Sequence, residues 1–136
     1  MSKKKMHDEG RAVVPKIILE LIKYDRERYT RHDNLSVEEL IQEIEPARVN
    51  WVNLDGLHDQ TIIEKIQSHF CLHSLLIEDV LDDQRPKAEE YEDYLFFTMK
   101  MLYRIDGVKI DYEQISFVLG NNFLITFIIS LTITKN

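Results

Sequence analysis

The 136-residue chain is poor in several of the residues that mark common protein classes. Its one cysteine, Cys71, excludes an internal disulfide and is typical of a protein in a reducing, cytoplasmic setting. Four glycines form neither a phosphate-binding loop nor a Gly-x-Ser-x-Gly motif, which favours a protein that is not an enzyme. The longest apolar-rich run, residues 123–133, is shorter than the roughly 20 residues of a membrane-spanning helix, and the first residues lack the apolar segment of a signal peptide. We therefore expect a soluble polypeptide.

The charge balance narrows the class of partner. A formal net charge of −7 argues against a dedicated nucleic-acid-binding protein, because contacts with phosphates need a basic surface. The hydrophobic share of 44% and the charged share of 30% are typical of a globular protein. We expect a polar tail over residues 1–12 and one domain over residues 13–136, with neither nucleic acid nor an organic substrate as ligand.

Hydrophobic spacing in the first half of the chain indicates both strands and helices. Residues 16–24 are almost continuously apolar, which favours a buried strand and leaves a helix as the alternative. Ser36 and Glu39 have the capping-box spacing at the start of a helix that Pro46 ends. Asp59 can cap a second helix.

Further along the chain, the spacing of the apolar residues changes from the helical period to the two-residue period of strands. A short buried strand is expected over residues 49–54 and a short helix over residues 73–81. Three more strands are expected over residues 95–105, 108–119 and 123–127, with Asp106-Gly107 as a hairpin turn. These patterns predict an α/β (α+β mixed) fold in which helices cover one mixed parallel and antiparallel sheet.

The expected helix over residues 73–81 carries an acid among apolar side chains. At about 100° per residue, one face of this helix holds Leu72, Leu75, Leu76 and Val80. Asp79 falls inside this face, and Glu78 lies at its edge. Because an uncompensated buried charge is costly, we expect Asp79 to be paired, protonated or bound to a cation.

Two explanations of Asp79 remain open at this stage. Arg85 or Lys87 could form an ion pair with Asp79 or Glu78 across the turn that follows the helix. Alternatively, the two acids could hold a cation.

A second possible metal motif lies at residues His69, Cys71 and His73. These side chains could bind zinc or cobalt. However, the motif straddles a helix end and lacks a second pair of ligands, so we expect these residues to cap and pack helices.

Seven short motifs occur in order along the chain, and together they carry a family resemblance. They are Trp51–His58, His73–Leu81, Gln84–Tyr91, Asp93–Phe96, Lys100–Leu102, Glu113–Leu119 and Asn122–Phe127. The ordered set resembles the N-terminal cytoplasmic domain of the CorA magnesium and cobalt transporters. Each motif is weak alone, and the resemblance spans about residues 49 to 127.

The resemblance implies an α/β/α sandwich, with helices on both faces of the sheet, at the cytoplasmic face of the cell membrane. It also implies a homopentameric channel in which divalent cations, Mg²⁺ or Co²⁺, bind between neighbouring cytoplasmic domains and control gating. The acids that match Glu78 and Asp79 contribute to these sites in the family, Asp79 most directly.

The chain also departs from the family pattern. The loop between Leu81 and Arg85 is one residue shorter, and residues 128–136 remain strand-like. The long stalk helix, both C-terminal membrane helices and the Gly-Met-Asn motif do not occur in this sequence. We therefore expect that this chain alone conducts no ions and binds divalent cations more weakly than the complete protein.

Other functions remain alternatives. The zinc-transporting branch of the same superfamily would have a similar domain. A stand-alone protein-interaction module could use residues 128–134 as an added edge strand. A small hydrolase using Glu78 and Asp79 lacks a companion base or nucleophile.

Overall fold

The computed structural model describes residues 17–56, 59–105 and 109–130. The elements of these ranges are β1 (Ile18–Tyr24), β2 (Tyr29–His32), α1 (Val37–Glu43), β3 (Val49–Asp55), α2 (Gln60–Phe70), α3 (Ser74–Leu81), β4 (Lys87–Glu90), β5 (Leu95–Ile105), β6 (Lys109–Leu119) and β7 (Phe123–Ser130). The expected tail over residues 1–12, the Asp106-Gly107 turn and residues 131–136 lie outside the described residues.

The strands form one mixed sheet in the order β2-β1-β3-β7-β6-β5-β4. Strands β3 and β7 are parallel, and the other neighbouring pairs are antiparallel. The predicted α/β class and mixed sheet are confirmed. The residues around position 20 form a strand, as favoured above, and not the alternative helix.

One face of this sheet forms the base of the core. Residues paired directly across neighbouring strands point to the same face, and one such row crosses five strands: Leu21, Val52, Ile125, Val118 and Phe96. All five side chains are completely buried. This continuous apolar row is the surface on which the helices pack.

All three helices of the described ranges bury their apolar side chains in the cluster that contains this row. The resemblance implied helices on both faces of the sheet. In the described residues, α1, α2 and α3 all cover the same face. Large apolar side chains that alternate with the buried positions of their strands remain exposed on the other face. They include Trp51 at 38%, Met99 at 44% and Leu119 at 46%.

Local chemistry fixes the starts of α1 and α2 as the sequence predicts. The hydroxyl of Ser36 accepts a hydrogen bond from the Glu39 N–H at 3.1 Å, and the Glu39 carboxylate accepts one from the Ser36 N–H at 2.9 Å. Asp59 accepts the Thr61 N–H at 3.0 Å. Both capping predictions are confirmed.

A buried ammonium group ties the end of α1 to the sheet. The Lys23 side chain lies in β1 on the core face, and its Nζ is 3.0 Å from Glu43 Oε1 and 2.7 Å from Glu45 Oε2. Burial alone would lower the pKa of Lys23, but the hydrogen bonds to Glu45 and Glu43 outweigh it and raise that pKa. The hydrogen bond from Lys23 holds the pKa of Glu45 below its usual value of 4.5.

Replacing Ser36 with Ala should lower the free energy of unfolding by about 1 kcal/mol, because the first turn of α1 loses its cap. Urea denaturation measures this change. The matched control is Ser68→Ala on the exposed side of α2, which should change stability by less than about 0.5 kcal/mol. Equal effects of the two substitutions would contradict a capping role for Ser36.

The depressed pKa of Glu45 predicts an acid-dependent loss of stability. Its contribution is fully present above the unfolded-state pKa and is lost as the pH falls through the lower folded-state pKa. In thermal melts between about pH 6 and pH 3, Glu45→Gln should therefore lose less stability on acidification than the wild type. Glu64→Gln, at an exposed position of α2, should keep the wild-type slope.

Candidate metal centre

Helix α3 is oriented by the three side chains that it buries. Leu76, Ile77 and Val80 are at most 6% exposed, whereas Leu75 is 56% exposed. Of the predicted apolar face, Leu72, Leu76 and Val80 are confirmed as buried, and the placement of Leu75 is wrong. Because Ile77 lies on the core side, the buried face is rotated away from Leu75, and Asp79 lies at its rim with 22% of its side chain exposed.

The chain before α3 is held by backbone and side-chain caps. Cys71 ends α2 in the left-handed conformation with a φ of 57°. The His73 N–H donates to the Tyr94 hydroxyl at 2.8 Å, and His73 Nδ1 accepts the Leu75 N–H at 3.0 Å. The His69 ring packs edge-on against a neighbouring aromatic ring. The predicted capping and packing roles of these residues are confirmed.

The chain after α3 is held by a buried amide that the sequence reasoning missed. Gln114 lies in β6 on the core face and is completely buried. Its Nε2 donates to the Asp82 carbonyl at 2.7 Å, and its Oε1 accepts the Gln84 N–H at 2.8 Å. A glutamine at an inward position of an alternating strand was the available signal, because such a buried amide needs hydrogen-bonding partners.

The Asp79 carboxylate forms an ion pair with Lys87. Lys87 Nζ lies 2.8 Å from Asp79 Oδ2 and 3.7 Å from Glu89 Oε2. The hydrogen bond with Asp79 is the largest cause of the raised pKa of Lys87. Of the two basic residues named from the sequence, Lys87 is thus the partner of Asp79.

Glu78 is placed differently from its neighbour. Its side chain is exposed, and no ion pair within residues 17–56, 59–105 and 109–130 includes it. Glu78 is therefore available to a ligand outside the domain, whereas Asp79 already holds the ammonium of Lys87.

Asp79 lies beside an edge of the described sheet, because its partner Lys87 belongs to the edge strand. Lys87 and Glu89 belong to β4, the last strand of the sheet order, and Lys87 pairs in register with the buried Thr98. Its side chain therefore points to the face that α3 covers. The ion pair with Asp79 bridges α3 and this edge strand, with a third of each side chain or less exposed.

A second lysine pairs with an acid just after the end of α3. The Lys100 ammonium contacts Asp83 and lies 5.0 Å from the centre of the Tyr112 ring. The hydrogen bond from Lys100 is the main cause that holds the pKa of Asp83 below its usual range. In the part of the chain that the structure describes, no three His, Cys, Asp or Glu side chains form a group that could hold a metal ion.

Comparison with known proteins identifies the family. A family model described as "CorA-like Mg2+ transporter protein" matches residues 46–129, well over half of the chain. The chain belongs to this family. The family is one of transporters, which agrees with the resemblance drawn from the motifs.

Relatives and solved structures support the same fold. The "Cobalt/magnesium transport protein CorA" of Thermotoga maritima is 29% identical over 111 residues, which are 80% of this chain and 32% of that protein. The soluble domain of CorA from Methanocaldococcus jannaschii matches with a TM-score of 0.54 at 18% identity, covering 79% of this chain and 39% of that one. The complete CorA magnesium transporter of the same organism matches with a TM-score of 0.58 at 18% identity, covering 85% and 33%. The chain therefore spans about a third of the length of these transporters.

No helix within the described residues is long and apolar enough to cross a membrane.

Replacing Gln114 with Met, which keeps the volume but removes the amide, should lower the free energy of unfolding by about 1–3 kcal/mol. The cause is the loss of partners for the Asp82 carbonyl and the Gln84 N–H. Urea denaturation measures the stability, and hydrogen exchange of the Gln84 amide should become faster. Gln42→Met, at an exposed site of α1, is the control. A stability loss no larger than in this control would rule out the assigned role of Gln114.

Proposed function

We propose that this chain is the divalent-cation-sensing domain of a magnesium and cobalt channel or transporter, and that cation binding at Asp79 and Glu78 controls gating. Membership of the CorA-like family supports a role in cation transport. The observation that carries the site is the carboxylate of Asp79, which lies partly exposed at the edge of the sheet and is held there by a well-anchored helix.

The donor groups fit Mg²⁺ in their chemistry. Mg²⁺ prefers hard oxygen ligands, keeps several waters and usually takes only one or two protein carboxylates. Asp79 and Glu78 supply that number from adjacent positions of α3. The donors at Asp79 and Glu78 are hard carboxylate oxygens, which favours magnesium over zinc as the ion.

The site needs oxygen atoms from a second source to be selective. The described residues place no third acidic, histidine or cysteine side chain with this pair. We propose that a neighbouring copy of the protein in a homopentamer supplies them, so that a bound cation joins two subunits. Each domain then contributes half of a cation site. The contact between subunits therefore becomes stronger as the cation concentration rises.

The proposed sensing role implies where the domain lies in the cell and implies that the domain catalyses no reaction. We propose that it lies at the cytoplasmic face of the cell membrane and is attached through membrane helices of the complete transporter. Its ligands are ions and other subunits, and it does not act as an enzyme.

The experiment is limited proteolysis of the complete oligomeric protein across a series of Mg²⁺ concentrations. Mg²⁺ should protect the wild type, because bound cations hold the subunits together. Asp79→Asn should weaken this protection strongly, and Glu78→Gln should weaken it less, since Glu78 is the more exposed ligand.

The matched control is Asp82→Asn, which removes an exposed acid at the end of the same helix. It should leave the protection by Mg²⁺ at the wild-type level. If Asp79→Asn were also protected like the wild type, the assignment of the cation site to Asp79 would be wrong.

A further inference from the structure

We propose that Lys87 is a built-in competitor of the divalent cation: its ammonium occupies the Asp79 carboxylate in the cation-free state and must leave when the cation binds. Lys87 would thereby set the cation concentration at which the domain responds. This inference rests on the proposed function, since it assumes that Asp79 is the cation ligand.

The Lys87 ammonium lies where a cation bound to Asp79 would lie. Lys87 Nζ lies between two carboxylates from different elements, 2.8 Å from Asp79 on α3 and 3.7 Å from Glu89 on β4. A lysine ammonium is a compact positive charge that only donates hydrogen bonds. It therefore occupies the position at Asp79 that a small cation would take.

The Lys87 ammonium and a divalent cation exclude each other at Asp79. A Mg²⁺ ion binds a carboxylate oxygen at about 2 Å, so on Asp79 it would stand within a few ångströms of the ammonium. Positive charges so close repel strongly at a site partly shielded from water. Binding of Mg²⁺ and the Lys87–Asp79 ion pair are thus alternatives, even if the ion uses the other carboxylate oxygen.

Lys87 can leave Asp79 without disturbing the fold. About a third of its side chain is exposed, and it lies on the edge strand β4, at the end of a flexible four-carbon stem. Glu89 offers a second carboxylate within reach, and it accepts a hydrogen bond from the Tyr91 hydroxyl at 3.3 Å. The ammonium can therefore move toward Glu89 when a divalent cation takes Asp79.

The chain contains an internal comparison for this behaviour. Lys100 forms a similar ion pair with Asp83, and its ammonium also lies over the Tyr112 ring. This pair does not include Asp79. Replacing Lys100 therefore removes a lysine of similar exposure but leaves the Lys87–Asp79 ion pair in place. Lys100→Met is therefore a matched control for Lys87→Met.

The test measures the Mg²⁺ concentration that gives half-maximal protease protection of the complete oligomeric protein. Lys87→Met removes the charge and keeps most of the apolar stem. Its midpoint should be about two- to fivefold lower than in the wild type, the factor expected for losing a partly exposed ion pair. Lys87→Arg keeps a cation that can bind the carboxylate through two N–H groups, so its midpoint should equal or exceed that of the wild type.

Three outcomes would overturn the inference. They are an unchanged or higher midpoint in Lys87→Met, an equal fall in Lys100→Met, and a fall in Lys87→Arg as large as in Lys87→Met. Thermal melts without Mg²⁺ verify that each variant is folded, and Lys87→Gln replaces Lys87→Met if the latter is not.

The same series separates the two proposals. If Asp79→Asn abolishes protection while Lys87→Met leaves the midpoint unchanged, the lysine inference fails and the proposed cation site stands. If Asp79→Asn keeps full protection, the proposed site itself fails. In the double variant Asp79→Asn, Lys87→Met, the loss of Lys87 should no longer shift the midpoint, because the ligand over which the two cations compete is gone.

Discussion

The packing of α3 against the buried face of the sheet is the constraint on which the candidate site depends. Leu76, Ile77 and Val80 enter the same apolar cluster as the row of side chains that crosses the sheet. Rotation of α3 by a few tens of degrees would bury Asp79 or turn it into solvent. The Gln114 amide stops such rotation at the end of the helix, because it is hydrogen-bonded to the loop that follows. The core thereby positions a carboxylate that is not itself part of the core.

The proposed exchange at Asp79 requires two states of similar free energy, one with Lys87 and one with the divalent cation. A partly exposed ion pair contributes little to stability, so the bond from Lys87 to Asp79 is strong enough to form and weak enough to exchange. A fully buried pair could not be opened at low cost. The 22% exposure of the Asp79 side chain therefore fits the proposed exchange. Under that proposal, one carboxylate is neutralised by Lys87 in the isolated domain and remains accessible to a divalent ion.

Local chemistry could be predicted from the sequence, and contacts between distant segments could not. The capping box at Ser36 and the cap at Asp59 depend on neighbouring residues and appear in the structure as predicted. The four-residue edge strands β2 and β4 are polar and too short to show a period, so they could not be predicted. The contacts of Gln114 join segments about 30 residues apart. For the same reason, the sequence alone did not decide whether Arg85 or Lys87 pairs with Asp79. The placement of β4 in the structure decides for Lys87.

In the proposed mechanism, one carboxylate exchanges a lysine for a divalent cation. A pair of structures of the complete oligomer, determined without Mg²⁺ and with saturating Mg²⁺, tests this exchange. Without the ion, we expect a Lys87 Nζ to Asp79 Oδ2 distance near 2.8 Å. With Mg²⁺, we expect a cation on Asp79 and a lysine displaced beyond about 4 Å, the usual limit of an ion pair. An intact ion pair in the Mg²⁺-saturated structure, with cations bound elsewhere, would contradict the exchange.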